Sequence, residues 1–262
     1  MLSDSERALL ELRLDPMPPS LPSQPCLPGT FQRIISVITS WLLEGEHQIF
    51  WLNGVAGSGK STVASTIWEK SGEMGDRVRR GAFISFNRSE AESSNPRKAI
   101  ATLAYQFSFL DDRIGAAIVN VLKAHPNIVE RSLPEQFSRL IVGPLESIPG
   151  LERSGRIAAV LDGLDECSGS GEERQELLCV LSRGFGANLQ FTKLLVTSRW
   201  EPDIEAAFNP ETSILVCSKD LSYRSADDNV RRYIEYELAD IGREDAIFHQ
   251  QYQKIDAAAR LT

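Results

Sequence analysis

Apolar positions along the chain fall into two recurring patterns. Short, nearly unbroken apolar runs occur at 48–52, 81–86, 157–161, 193–197 and 213–216. Runs of this kind fit strands buried on both faces of a parallel sheet. Between them, apolar residues recur every three or four positions, as on one face of a helix. Phe31, Ile34, Ile35, Ile38, Trp41 and Leu42 make such a stripe before the first run, and Val63, Ala64, Ile67 and Trp68 make another over 61–69. Asn95 as N-cap and Pro96 at the first helical position open a helix that aligns Ile100, Leu103, Ala104 and Phe107. Ser132 and Glu135 have capping-box spacing at the start of a further helix, which Pro144 kinks or ends. A last stripe, Val230, Tyr233, Ile234, Leu238 and Ile241, predicts a helix near the C-terminus. Strands alternating with helices predict an α/β fold: a doubly wound, mostly parallel five-stranded sheet with helices on both faces.

The N-terminal pattern is different. Residues 3–14 read as weakly helical, and the following "DPMPPSLPSQPCLPGT" cannot continue a helix because its prolines lack the N–H and fix φ. The expected division is an N-terminal helix and proline-rich linker over 1–25, the main domain over 26–245, and a C-terminal extension over 246–262.

Composition narrows the classes of function. A length of 262 residues with 42% hydrophobic content supports one large domain with its own core. The net charge of -8 has the wrong sign for holding nucleic acid by phosphate neutralisation, so no nucleic-acid partner is expected. Cys26, Cys167, Cys179 and Cys217 form no C-x-x-C pair and lie apart from the histidines, which argues against a zinc or disulfide framework and fits a reducing compartment. The start "LSDSERALLE" has neither the basic nor the apolar part of a secretory signal, and "IISVITSWLL" is too short to span a bilayer. A cytoplasmic protein with no membrane partner is expected.

Between the first apolar run and the helix at 61–69 stand Gly54, Val55, Ala56, Gly57, Ser58, Gly59, Lys60, Ser61 and Thr62. Gly54, Gly59, Lys60 and Ser61 meet the phosphate-loop pattern G-x-x-x-x-G-K-[ST]. Each residue type contributes something different. Glycines let consecutive backbone N–H groups turn inward, lysine brings a point charge to the β- and γ-phosphates, and serine offers a hydroxyl to Mg²⁺. The helix that starts there adds its positive end. The ligand expected is a nucleoside triphosphate, ATP or GTP, with Mg²⁺.

The run "RIAAVLDGLDEC" delivers Asp162 at its end, followed by Gly163, Asp165 and Glu166. A phosphate loop needs a carboxylate on a neighbouring strand for the metal, and Asp162 is the candidate. Glu166 is the candidate to orient and deprotonate the attacking water, with Asp165 sharing that role or the metal shell. The run "KLLVTSR" ends in Thr197, Ser198 and Arg199, and Arg199 is the candidate sensor of the γ-phosphate. A guanine-specificity motif of the form [NT]-K-x-D does not occur, which disfavours a dedicated small GTPase.

Together "CLPGT", "FWLNGVAGSGKST", "GAFISFNR", "NPRKAIATLAYQ", "VLDGLDEC" and "LLVTSRWEPDI" resemble a NACHT domain of the fungal type. This is a branch of the STAND class of P-loop NTPases, also described as similar to the N-terminal region of nephrocystin-3. The resemblance covers roughly 26–245 and implies a slowly hydrolysing nucleotide switch that governs self-association and signalling partners, as in heterokaryon incompatibility and Nod-like immune receptors. It implies that Gly54, Gly57, Gly59, Lys60, Ser61 and Thr62 serve as the phosphate loop, Asp162 as the Mg²⁺ aspartate, Glu166 as the catalytic acid and Arg199 as the sensor. It further implies a winged-helix region after the sheet, of which 246–262 are read as the beginning. One departure stands out: relatives commonly carry arginine after "PGT", and here the position is Phe31. The alternatives to a hydrolysing switch are a nucleotide-binding or structural interaction module with little turnover, and a P-loop kinase.

Overall fold

The five apolar runs lie side by side in the computed structural model, which describes residues 2–20, 22–187, 189–211 and 216–221. The strands are β1 (Ile49–Asn53), β2 (Val78–Ser85), β3 (Arg156–Asp162), β4 (Thr192–Ser198) and β5 (Val216–Asp220), all parallel, in the order β2-β3-β4-β1-β5. β4 is thus inserted between β1, which leads into the glycine-rich segment, and β3, which ends in Asp162. The predicted sheet is present. For the fifth run, expected at 213–216, the described strand is Val216–Asp220, whose tail Lys219 and Asp220 is exposed. Residues 212–215 lie outside the described residues.

The period-two alternation of buried strands splits the core in two. Ile49, Trp51, Ile157, Ala159, Leu161, Leu194 and Val196 join one cluster, while Phe50, Leu52, Ala158, Val160 and Leu195 join the other. The second face is covered by α2 (Gln32–Glu44) and α3 (Lys60–Glu73), which bury Ile38, Leu42, Val63 and Ile67. The first is covered by α1 (Asp4–Leu14), α4 (Pro96–Phe107), α5 (Asp112–Ala124), α6 (Leu133–Phe137), α7 (Gly143–Glu146), α8 (Gly171–Ala187) and α9 (Pro202–Phe208). The fold is therefore the doubly wound α/β arrangement expected. Three of its helices, α5, α8 and α9, had not been predicted. Among the described residues no helix is long and apolar enough to cross a membrane.

Local chemistry explains where elements start and stop. Asn95 caps α4 by accepting from the Arg97 N–H, with Pro96 in the first turn, as predicted. The capping box expected at Ser132 does not form, for Ser132 makes no side-chain capping bond and α6 lasts only to Phe137. A π turn over Ser138–Val142 follows, with the Gly143 N–H bonded to the Ser138 carbonyl, before α7 resumes with Pro144 in its first turn. Pro144 has no N–H, and its ring would collide with the carbonyl four residues earlier; the wider turn accommodates both.

The N-terminal stretch read as a helix and linker is packed rather than free. Ser3 and Glu6 form a reciprocal capping box at α1, and Leu10, Leu14 and Met17 are buried in the first core cluster. The prolines end the helix, but the Met17 N–H donates to Thr102 Oγ1 (2.9 Å), Ser20 Oγ accepts from the Ser85 N–H (3.1 Å) and the Cys26 N–H donates to Thr66 Oγ1 (2.8 Å). This segment runs from α4, past the end of β2, to α3. The predicted C-terminal helix and 246–262 lie outside the described residues.

Candidate functional site

β1 ends at Asn53 and α3 begins at Lys60, so the glycine-rich segment is the connection between them at the carboxyl end of the sheet. Gly57 (φ 73°) and Gly59 (φ 90°) take left-handed conformations that a side chain would oppose. The loop is tied to the neighbouring strand by the Gly54 N–H, which donates to the Ser198 carbonyl at 3.2 Å. Lys60 folds back over it: Nζ donates to the carbonyls of Gly54 (2.7 Å) and Val55 (2.8 Å). Burial lowers the Lys60 pKa, against the pull of Asp165 and Asp162. Val55 is largely exposed, and the Ser58 hydroxyl is buried without a partner.

The acidic strand end meets this loop. Asp162 is only 5% exposed, and burial raises its pKa, opposed by hydrogen bonds from Thr197 and Ser61 and by the charge of Lys60. Thr197 Oγ1 donates to Asp162 Oδ1 (2.6 Å) and accepts from the Gly163 N–H (2.9 Å), so the hydroxyl is locked in one orientation. Gly163 is left-handed (φ 71°), which turns the chain into the short helix Leu164–Glu166. Glu166 is half-buried, its Oε2 accepts from the Arg88 N–H (3.3 Å), and its charge acts on Asp162. Asp165 is buried and holds the tip of β4: Oδ1 accepts from the Arg199 N–H (2.9 Å), and Oδ2 lies 3.1 Å from Arg199 Nε. The Arg199 side chain remains half exposed.

The structure thus brings Lys60, Ser61, Asp162, Asp165, Glu166 and Arg199 to one end of the sheet. It adds residues that the sequence reading left unassigned. Arg174 on α8 donates to the carbonyls of Cys167 (2.7 Å) and Asp165 (3.3 Å) and pairs with Asp203 (2.7 Å) and Glu201. Arg88 donates to the Asp165 carbonyl. Nothing local marks Arg174, because its carboxylate partners lie beyond β4. Arg88 could have been found as a charged residue two positions past an apolar run.

Magnesium prefers hard oxygen donors and keeps several waters. Ser61 facing a buried Asp162 fits that preference, and the orphaned Ser58 hydroxyl fits an occupant rich in acceptor oxygens. Among the described residues no group of three or more His, Cys, Asp or Glu is arranged to hold a metal by itself. The donors present would therefore share the ion with phosphate and water.

No curated protein matches the chain. Solved structures that resemble it include Cdc6p from Pyrobaculum aerophilum, at 17% identity over 83% of this chain and 49% of that one, with a TM-score of 0.44. Another is the Drosophila ORC bound to DNA, at 14% identity over 84% of this chain and 49% of that one, with a TM-score of 0.40. The chain spans about half the length of each. The family described as nephrocystin 3, N-terminal, matches residues 29–199. That match runs from the turn before α2, through the phosphate loop and the acidic strand end, to Arg199 at the tip of β4. It covers well over half of the sequence, and the chain belongs to the nephrocystin 3 N-terminal family.

Proposed function

We propose that this chain is a nucleoside-triphosphate-binding switch module of the NACHT type. It takes ATP, or GTP in its place, hydrolyses it slowly, and couples the bound state to self-association or to signalling protein partners in the cytoplasm. The observation that carries this reading is the meeting of Ser61, on the phosphate loop, with Asp162, held by Thr197 on the intervening strand. The loop N–H groups and the start of α3 bind the phosphates. Lys60 leaves its loop carbonyls to meet the β- and γ-oxygens. Ser61 and Asp162 hold Mg²⁺, which supplies charge neutralisation at those oxygens. Glu166 accepts a proton from the attacking water, and Arg199 stabilises charge on the γ-phosphate.

The clasp of Asp165 on Arg199 favours slow turnover, because the guanidinium must leave a buried carboxylate before it reaches phosphate. Taken further, the same contact supports the alternative of a binding module with little turnover, and measured hydrolysis separates the two.

Thermal unfolding of nucleotide-free protein, with and without ATP-Mg²⁺ and GTP-Mg²⁺, tests the reading. Nucleotide at a hundredfold above Kd stabilises by about 2.7 kcal/mol, which is about 5–10 °C for a chain of this size. Lys60→Ala abolishes the shift. Absence of any shift in folded, nucleotide-free wild type would sink the proposal.

A further inference from the structure

The β3–β4 ladder stops where Leu161 pairs with Val196. Beyond it, side chains tie the acidic turn after β3 to the loop after β4. Asp165 holds Arg199, and Arg174, in the first turn of α8, reaches both segments with one guanidinium. Its Nη1 donates to the carbonyls of Asp165 (3.3 Å) and Cys167 (2.7 Å), the residues on either side of Glu166. Nε donates to Asp203 Oδ2 (2.7 Å), and Nη2 pairs with Glu201. The side chain is only 15% exposed, so the fork is held in place on every side.

These contacts bracket both residues assigned above to the γ-phosphate. Glu166 lies between the two carbonyls that Nη1 grips, and its own N–H donates to the Gly163 carbonyl (2.8 Å). Arg199 lies just ahead of Glu201 and Asp203, the two carboxylates held by Nε and Nη2. We infer that Arg174 is a positioning residue for hydrolysis: it fixes the separation of Glu166 from Arg199 beyond the end of the ladder, so that the carboxylate acting on water and the guanidinium stabilising charge meet the same γ-phosphate. This rests on the hydrolytic reading above and deepens it. Arginine suits the task because its planar fork directs several N–H groups at once to two carbonyls and two carboxylates, whereas a lysine ammonium is a point charge on a flexible stem. Displacing a catalytic group by about 1 Å can cost about 100-fold in rate.

The competing role is a staple between α8 and α9, since Asp203 lies in the first turn of α9 and α8 packs against that helix. A staple needs only the ion pair to Asp203, which lysine retains; positioning needs the fork. Steady-state hydrolysis of ATP-Mg²⁺, with the calorimetric Kd for the same ligand, separates them in wild type, Arg174→Lys, Glu201→Ala and Arg97→Met, with circular dichroism to verify folding. Arg174→Lys is expected to leave Kd unchanged and to lower kcat by about 10- to 100-fold. Arg97→Met removes the half-exposed ion pair to Glu173 of α8 without touching either loop, and is expected to change neither quantity. Wild-type kcat in folded Arg174→Lys, a matching loss in Arg97→Met, or weakened binding at constant kcat overturns the positioning role and leaves the nucleotide switch standing. If Arg174→Lys does not fold, Glu201→Ala decides: it releases the loop after β4 from Nη2 while Arg174 keeps its two carbonyls and Asp203, and an unchanged kcat overturns the role. Wild type that binds nucleotide without turnover overturns hydrolysis and this role together, and wild type that binds none overturns the nucleotide site itself.

Discussion

Lys193, at the start of β4, is a cation buried far from the phosphate loop. Its Nζ donates to the carbonyls of Gly45 (2.7 Å) and His47 (2.6 Å) and lies 5.6 Å from the centroid of Trp41. Arg156 joins it, with Nη1 donating to the carbonyls of Leu42 (3.1 Å) and Gly45 (3.0 Å). The two cations thus satisfy the carbonyls at the C-terminal end of α2, where positive charge is favoured. Burial nonetheless pushes the Lys193 pKa down from 10.5 to about 8. The unfolded chain keeps that proton to the ordinary value while the folded chain loses it near 8, so between these values the unfolded state binds more protons. Stability contributed by Lys193 therefore rises with pH across that window. Urea denaturation of wild type and Lys193→Met at pH 7 and pH 10 checks it: the difference should shift in favour of wild type at the higher pH, and a constant difference refutes it. Asp165 illustrates a different balance. Asp165→Asn retains an acceptor for the Arg199 N–H and loses the ion pair to a half-exposed guanidinium, for an expected cost of about 1 kcal/mol in the same assay. A loss several times larger would mean that the carboxylate holds more than Arg199. The sequence marked Asp165 as acidic and near the site, but not which neighbour it would serve. That depended on the parallel alignment of β3 and β4.

At the scale of elements, the edge of the sheet shows how a side chain stands in for a strand. β2 is an outer strand, and Gln106 of α4 accepts from the Phe83 N–H (2.7 Å) and donates to the Phe83 carbonyl (3.0 Å). One amide thereby closes both backbone groups of Phe83, which an exposed edge would offer to another chain. Gln106→Leu leaves them unpaired, which is expected to cost about 1–3 kcal/mol and to increase self-association. Denaturation and size-exclusion chromatography measure both, and unchanged behaviour in the two would remove Gln106 from this role. Close approach at the same edge requires Gly81, where a Cβ would meet Ile157 Cγ2 at 2.5 Å and Phe107 at 2.7 Å, and the β2–β3 register shifts between Arg80 and Ala82. Elements with strong local signals were legible: the strands 49–53 and 192–198 lie within a residue of their expected bounds, and Asn95–Pro96 starts its helix. Where the deciding partner is distant, the reading failed. Ser132 and Glu135 had the right spacing for a cap, yet the π turn that relieves Pro144 set the shape of that helix.

The whole molecule closes around its sheet with help from the N-terminus. α1 and the prolines after it contribute Leu10, Leu14 and Met17 to the same cluster as the strands. Leu14→Ala is therefore expected to cost about 2–5 kcal/mol, as for a buried core leucine. A cost below about 0.5 kcal/mol in urea denaturation would mean that α1 adds little to this core. By itself the sequence determined the fold class and the chemistry within reach of one strand end: the glycines, Lys60 and Ser61 of the loop, and Asp162 with its acidic followers. These are set by short-range rules, namely the period of apolar burial, the φ that only glycine takes easily, and the spacing that puts a hydroxyl one residue after a lysine. The tertiary structure decided what those rules cannot reach. It placed β4 between β1 and β3, so that Thr197 locks Asp162 and Asp165 clasps Arg199; it brought Arg174 to the acidic turn from another helix, and it laid Phe31 on Gly59. Apart from the contact of Arg174, each of these joins residues far apart in the chain, and their energies depend on burial and orientation that exist only once the sheet has assembled.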